Sequence, residues 1–232
     1  MPAYNEEARL PQTLAAWHSY LSAQRYTWEV VVADDGSRDR TAAAAEAFAA
    51  THPGFRVVRL PRNRGKGGAV RTGVGAAAGD VVLFCDADLG VPAEFTEAAL
   101  RTIEAGADVA TGERSLRRYA SEERSITRLL AGLAVQISRR LLGLTYVRDS
   151  QCGFKAFRRS AAGEIFRRAV IDSFAFDIEI LYLARRLGYD VRPFPVEMSF
   201  RAGSTFDVSK HLPKFLKDIL HVRMNALRGV YD

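Results

Sequence analysis

Cysteine is nearly missing from this chain: Cys85 and Cys152 are the only two in 232 residues. Two thiols so far apart in sequence define neither a disulfide framework nor a zinc site, and both read as free thiols of a cytoplasmic protein. Long apolar runs are missing too. None approaches the roughly 20 residues that a membrane-spanning helix requires. No charged leader followed by an apolar stretch marks a signal peptide at the start. Low-complexity linkers and internal repeats are also lacking, so the pattern reads as one domain over residues 1–232. Acid is in deficit. Lys and Arg number 33 against 27 Asp and Glu, a net charge of +6. That surplus suits an anionic partner such as a nucleotide, a phosphate, a nucleic acid or an acidic membrane surface. The basic residues are dispersed among acids and form no nucleic-acid motif, so no nucleic-acid partner is expected.

What the chain does have is alternation. Short apolar runs, "EVVVA", "FRVVRL", "DVVLFC" and "ADVATGER", are separated by helical stretches. The stretches "RDRTAAAAEAFAATH", with Asp39 as a candidate cap, "KGGAVRTGVGAAAG" and "EFTEAALRTIEAG" carry the helices. Strands joined by helices of that length predict right-handed crossovers and an α/β fold with a mostly parallel sheet. After Ser115 the regularity weakens. "RSLRRYASEERSITR" reads as a charged connection, "ITRLLAGLAVQISRRLLG" and "FDIEILYLARRLG" as amphipathic helices, and "YDVRPFPVEMSF" as a strand.

Three acidic clusters fall where strand ends are expected. Asn5, Glu6 and Glu7 lie in the opening loop, Asp34 and Asp35 follow "VVVA", and Asp86 and Asp88 follow "VVLFC". Ligands of open parallel sheets bind beyond those ends. Side chains two apart on a strand share a face, so Asp86 and Asp88 can aim at one hard divalent cation, Mg²⁺ or Mn²⁺, that also bridges phosphate oxygens. The plainer alternative is that Asp88 caps the next helix and Asp86 meets an arginine.

The glycine-rich "RNRGKGGAVRTG" is not a Walker loop, because Gly67 stands where Ser or Thr must follow Lys66. "GVGAAA" formally fits a dinucleotide fingerprint but lies inside a helical stretch. Two readings remain open: Lys66 and nearby amides face phosphates, or small residues let a helix pack closely on the sheet.

Taken in order, "PAYNEE", "VVVADDGSRDRT", "RNRGKGGAVRTG", "GDVVLFCDADL" and "DSQCGFKAFRRSAA" resemble family 2 glycosyltransferases of the GT-A fold, a Rossmann-like architecture. Within that family the similarity is greatest to the branch that loads glucose or mannose onto dolichyl-type polyprenyl phosphates. It covers nearly the whole chain. The resemblance implies a nucleotide diphosphate sugar donor, UDP-glucose or GDP-mannose, in a pocket lined by Pro2, Ala3, Tyr4, Glu6, Asp34, Asp35, Lys66, Asp86, Ala87 and Asp88. Asp86 and Asp88 would hold the metal. Arg114, Arg128 and Arg201 would clamp the diphosphate and the acceptor phosphate, while Arg117 and Arg118 read as solvated charges. Gln151, Cys152 and Gly153 would lie near sugar and acceptor. Asp86, Asp88, Arg114, Arg128 and Gln151 would be the catalytic set. Glu113 departs from the family's usual Gly-Ser-Arg. Residues 1–112 would bind the donor, and 113–232 the acceptor.

Two further expectations follow. The segments "ITRLLAGLAVQISRRLLGL" and "SKHLPKFLKDILHVRMNALRGVY" are basic and amphipathic, so either they pack against the sheet or they attach the protein peripherally to the cytoplasmic face of a membrane, and peripheral attachment is the expectation. Relatives also carry a strand before "PAYNEE", whereas no strand residues precede it here. A sheet lacking that strand would leave backbone groups unpaired, at about 1–3 kcal/mol for each buried one. Two alternatives stand beside this functional reading: a family 2 glycosyltransferase acting on a soluble or glycan hydroxyl acceptor, and, from another class, a sugar-phosphate nucleotidyltransferase, whose first loop is usually glycine-rich and basic whereas "YNEE" is acidic.

Overall fold

The structure is a computed structural model that describes residues 1–114, 126–198 and 208–232, with side chains in the last two segments described from 132 and 214 onward, 134 excepted. Strands β1 (Pro2–Ala3), β2 (Val30–Asp34) and β3 (Phe55–Arg59) form a parallel sheet in that order. Strands β4 (Val81–Cys85), β5 (Val109–Arg114), β6 (Phe154–Arg158) and β7 (Val191–Val196) form a second sheet, ordered β4-β6-β5-β7. In it β6 runs antiparallel to both neighbours and β7 runs parallel to β5. No strand is expected over "FKAFR" from its pattern, because Lys155 interrupts the apolar run.

Helices α1 (Leu10–Ser22), α2 (Thr41–Thr51), α3 (Lys66–Ala76) and α4 (Thr96–Glu104) join the first strands. Helices α5 (Ile126–Leu141), α6 (Arg159–Arg168), α7 (Phe176–Arg186) and α8 (Val208–Leu227) belong to the second half. The VVVAD strand β2 is buried along its whole length, as a parallel strand covered on both faces must be. In α1, Leu10, Leu14, Trp17 and Leu21 recur at helical spacing and are buried, with a proline in the first turn, where its missing N–H costs nothing. Asp39 acts at the start of α2 by accepting hydrogen bonds from the N–H and hydroxyl of Thr41, at 2.9 and 2.5 Å. Helix α7 is buried from Phe176 to Ala184 and lies in a core with Phe84, Phe157, Ile165, Val222 and Tyr231. A second core collects α1, β2 and the alternate residues Cys85, Phe154, Ala156 and Phe194.

The expectation of a missing first strand is corrected. Pro2 and Ala3 pair in parallel register with Ala33 and Asp34. The Met1 carbonyl accepts from Ala33 N–H, and the Met1 amino group donates to the Val31 carbonyl. The opening residues themselves thus satisfy the edge of β2, because a two-residue strand is enough to reach the groups that face it. The charged connection around Arg117 and Arg118 lies outside the described residues.

Candidate active site

Beyond the carboxyl ends of β1, β2 and β4 lie the three acidic clusters. Asn5, in a left-handed backbone conformation at φ 53°, starts the first loop. Its side-chain oxygen accepts from Arg38 N–H at 2.9 Å, its own N–H donates to Ser37 Oγ at 3.0 Å, and Glu6 N–H donates to Thr41 Oγ1 at 2.7 Å. The opening loop is therefore laced to the loop before α2. Glu6 is gripped by Arg9 through both carboxylate oxygens, at 2.7 and 2.8 Å. Tyr4 is exposed at the tip, while Ala3 is buried in β1.

Asp34 and Asp35 are buried, with 0% and 3% of their surface exposed. Asp35 accepts two backbone bonds, from Arg64 and Gly65, each at 2.8 Å. Burial pushes its carboxyl above the usual range, and those two amides oppose the rise. Asp34 accepts from Ser37 N–H and lies 3.8 Å from the Arg59 guanidinium. Both acids therefore fasten loops around the site, and each retains lone pairs beyond the bonds it makes.

The third pair is different. Strand β4 ends at Cys85, so Asp86 and Asp88 stand just beyond it, each half-buried. Lys66, the first residue of α3, places Nζ 2.6 Å from Asp86 Oδ1. Burial alone would lower the lysine's pKa, but Asp86, Asp177 and Asp88 outweigh it and raise the pKa above the ordinary value. Asp88 accepts from Gly90 N–H at 2.9 Å, around a turn in which Leu89 is left-handed at φ 54°. Neither plainer alternative holds: Asp86 meets a lysine, and neither the short helix that follows nor α4 has a side-chain cap. Ala87 is buried, and its carbonyl accepts from Thr13 of α1 at 2.6 Å.

Gly153 explains how Asp86 is seated. A Cβ at this position would fall 2.0 Å from Asp86 Oδ2, so the carboxylate rests directly on the glycine. The Gly153 carbonyl also accepts from Asp86 N–H at 3.2 Å. The glycine-rich stretch at 65–68 divides between its two readings. A Cβ on Gly67 would meet the Ile171 carbonyl at 2.4 Å, so close packing accounts for the small residue, while Lys66 turns toward the acids.

Arg114 forms a fork with Asp149 through Nε and Nη2, the latter at 2.8 Å. Gln151 follows two residues on; its N–H donates to Asp149, and its Nε2 is buried with no hydrogen-bond partner among the described residues. Burial pushes the thiols of Cys152 and Cys85 up to about 11 and about 12, so both stay protonated and unreactive at neutral pH. Arg201 and the side chain of Arg128 lie outside what is described. The pattern of the chain did not point to Asp149, Lys155 or Asp177, whose charged partners lie 22 to 35 residues away in sequence; a charged residue among apolar ones marks Lys155 and Asp177, and Asp149 leaves no such signal.

Among the described residues no three His, Cys, Asp or Glu side chains cluster as a self-sufficient metal cage. Asp86 and Asp88 nevertheless fit Mg²⁺ or Mn²⁺, which are commonly held by one or two carboxylates plus substrate phosphates and water. A site with only two protein oxygens makes sense if the donor supplies the rest.

An α/β fold with acids and a lysine beyond its strand ends, facing a glycine-floored turn, is suited to a ligand bound at the carboxyl ends of the strands. The profile of Glycosyl transferase family 2 matches residues 1–174, and the chain belongs to that family. It is similar to the dolichyl-phosphate β-glucosyltransferase of Homo sapiens, at 32% identity over 100% of this chain and 76% of the relative. The same enzyme of Saccharomyces cerevisiae is 33% identical over 100% of this chain and 75% of the relative. The fold matches glucosyl-3-phosphoglycerate synthase from Mycobacterium tuberculosis in complex with Mn²⁺, uridine diphosphate and glucosyl-3-phosphoglycerate. That match has a TM-score of 0.68 at 22% identity, covering 97% of this chain and 77% of the other.

Proposed function

We propose that this chain transfers glucose from UDP-glucose to a dolichyl-type polyprenyl phosphate, with inversion at the anomeric carbon. The observation that carries the reading is Asp86, seated on Gly153 and met by Lys66, at the point where donor-side loops and the 149–153 turn converge. The similarity to dolichyl-phosphate β-glucosyltransferases over the whole chain supports the choice of sugar and acceptor.

Residues 1–112 bind the donor: Pro2, Ala3, Tyr4, Glu6, Asp34 and Asp35 surround base and ribose, and Lys66 meets the diphosphate. Asp86 and Asp88 hold Mg²⁺ or Mn²⁺, which when bound stabilises charge on the leaving diphosphate. Residues 113–232 bind the acceptor, with Gln151 offering its unpartnered amide to sugar or phosphate. Arg114, fixed by Asp149, adds positive charge on the acceptor side. In the reaction the bond from the anomeric carbon to the diphosphate breaks and one to an acceptor phosphate oxygen forms. The acceptor oxygen is already ionised at neutral pH, so it needs positioning and not deprotonation. No general base is required, and the negative charge passes to the released nucleotide.

The lipid tail calls for a membrane surface. No helix among the described residues is long and apolar enough to cross one. Helix α8 exposes Leu216, Leu220, Met224 and Leu227 at helical spacing, beside exposed Lys214, Lys217, Arg223 and Arg228. Helix α5 exposes Leu133, Ile137 and Leu141 in the same way. These stripes favour peripheral attachment, and the free thiols favour the cytoplasmic face.

The test is incubation of the protein with radiolabelled UDP-glucose or GDP-mannose, Mn²⁺ and polyprenyl phosphate, with and without anionic vesicles, followed by lipid extraction. Label entering the lipid from UDP-glucose is expected, increased by vesicles. Label from GDP-mannose alone would change the sugar. Label on soluble hydroxyl acceptors but not on lipid would overturn the acceptor.

A further inference from the structure

Lys155 is the second residue of β6, an inner strand of the mixed sheet, and is 0% exposed. An unpaired ammonium there would carry a heavy desolvation penalty. It has two partners: Nζ donates to Asp177 Oδ1 at 2.5 Å and to the Cys152 carbonyl at 2.6 Å. It also lies 5.4 Å from the centre of the Phe84 ring. Asp177, 2% exposed, occupies the first turn of α7, where the helix dipole favours a carboxylate. As a device for stability alone the pair is a poor choice, since well-packed apolar residues of similar volume commonly do as well or better.

What the pair touches gives it another role. The Cys152 carbonyl belongs to the turn whose next residue, Gly153, forms the floor beneath Asp86. On the other side of Asp86, Lys66 Nζ lies 5.8 Å from the centre of the Phe176 ring, next in sequence to Asp177. Gly67 packs against that same Phe176, leaving 2.7 Å between its would-be Cβ and the phenylalanine Cβ. Asp86, Lys66, the start of α7, Lys155 and the 152–153 peptide therefore close a ring.

We propose that Lys155 and Asp177 are positioning residues for donor binding: by tying the Cys152 carbonyl to the start of α7, they hold Gly153 and Lys66 on either side of Asp86. Neither touches donor or acceptor. The inference rests on the reading of Asp86 as a ligand of the donor's cation. A purely structural ion pair would affect melting but leave binding in the folded protein unchanged.

The two are separated by measuring melting temperature and the Kd of UDP in saturating Mn²⁺. The proteins are wild type, Lys155→Met, Asp177→Leu, the double variant and Asp177→Asn. Each apolar single variant strands a buried charge and melts early; the double variant removes both charges and regains most of the loss. In the double variant, at a melting temperature close to wild type, UDP binding is expected to weaken about 10-fold or more, as for outer partners of metal ligands. Wild-type affinity in a folded double variant overturns the inference. If the double variant does not fold, Asp177→Asn decides by the same two readouts, and unchanged affinity there, or failure of that variant to fold, also overturns it. Absence of Mn²⁺-dependent UDP binding in the wild type would remove the functional reading itself, and is visible before any variant is made.

Discussion

Two acidic pairs end one strand in each of the two sheets, yet they are bound into the protein in opposite ways. Asp34 and Asp35, at the end of β2, are buried and accept hydrogen bonds from the backbone N–H groups of Ser37, Arg64 and Gly65. Asp86 and Asp88, beyond β4, remain half-exposed, and the charge facing Asp86 is a lysine side chain and not a backbone amide. A buried carboxylate with fixed amide partners is a fastener, because moving it strands those amides. A half-exposed carboxylate facing a lysine can exchange partners at little cost, as a ligand for a cation must. The contrast predicts that one doublet sets stability and the other sets transfer.

The largest effect falls on the second doublet. Asp86→Asn or Asp88→Asn should lower transfer about 10²–10³-fold, the usual size for loss of one preorganised charge partner at a reacting centre. Asp88→Asn should barely move the melting temperature, whereas Asp86→Asn takes the nearest partner from the mostly buried Lys66 and should lower it modestly, with Asp177 still acting on the lysine. Assay of lipid-linked glucose beside a melting curve checks both halves. Full activity in either variant would end the assignment of these acids.

The first doublet should respond in the other currency of measurement. Asp35→Ala leaves the amides of Arg64 and Gly65 without their acceptor, a loss of about 2–4 kcal/mol. That corresponds to a melting temperature lower by about 4–16 °C in a chain of this size. UDP affinity below the melting range should fall less than in Asp86→Asn. An Asp35 variant that melts like wild type yet fails to bind UDP would collapse the distinction.

How much of this could be seen in the sequence follows from how local each feature is. The strands "VVVAD" and "VVLFC" are apolar runs closed by acids, and their place in the fold is written within a few residues. The stripe on α8 is equally local, since helical spacing alone lines up Leu216, Leu220 and Met224. Strand β6 was hidden because its second residue is a lysine, and the charge that makes this tolerable, Asp177, lies 22 residues away. The strand at the opening was hidden by brevity: two residues carry no periodicity, and only the register with Ala33 and Asp34 reveals them. The acids of the site were legible as motif members; which of them are fasteners was not, because their partners come from loops distant in sequence.

Asp149 offers the finest test of the comparison, because it is a fastener held by a side chain and not by amides. Burial would raise its carboxyl, but the Arg114 guanidinium more than offsets this and holds it below the usual aspartate range. A carboxyl whose folded pKa lies under its unfolded value of about 3.9 binds fewer protons when folded. Its contribution to stability is therefore complete above about pH 4 and is lost as pH falls through the folded value. Asp149→Asn should cost about 1.5 kcal/mol near neutrality, the worth of a hydrogen bond to a charged group. The gap in melting temperature between wild type and variant should then close as the buffer is taken below about pH 4. Asp35 carries a shift of the opposite sign, so the gap produced by Asp35→Ala should not close in that window for the same reason. If the Asp149 gap stays constant down to pH 3, the arginine is not what stabilises that carboxylate, and the turn leading to Gln151 is fixed by something else.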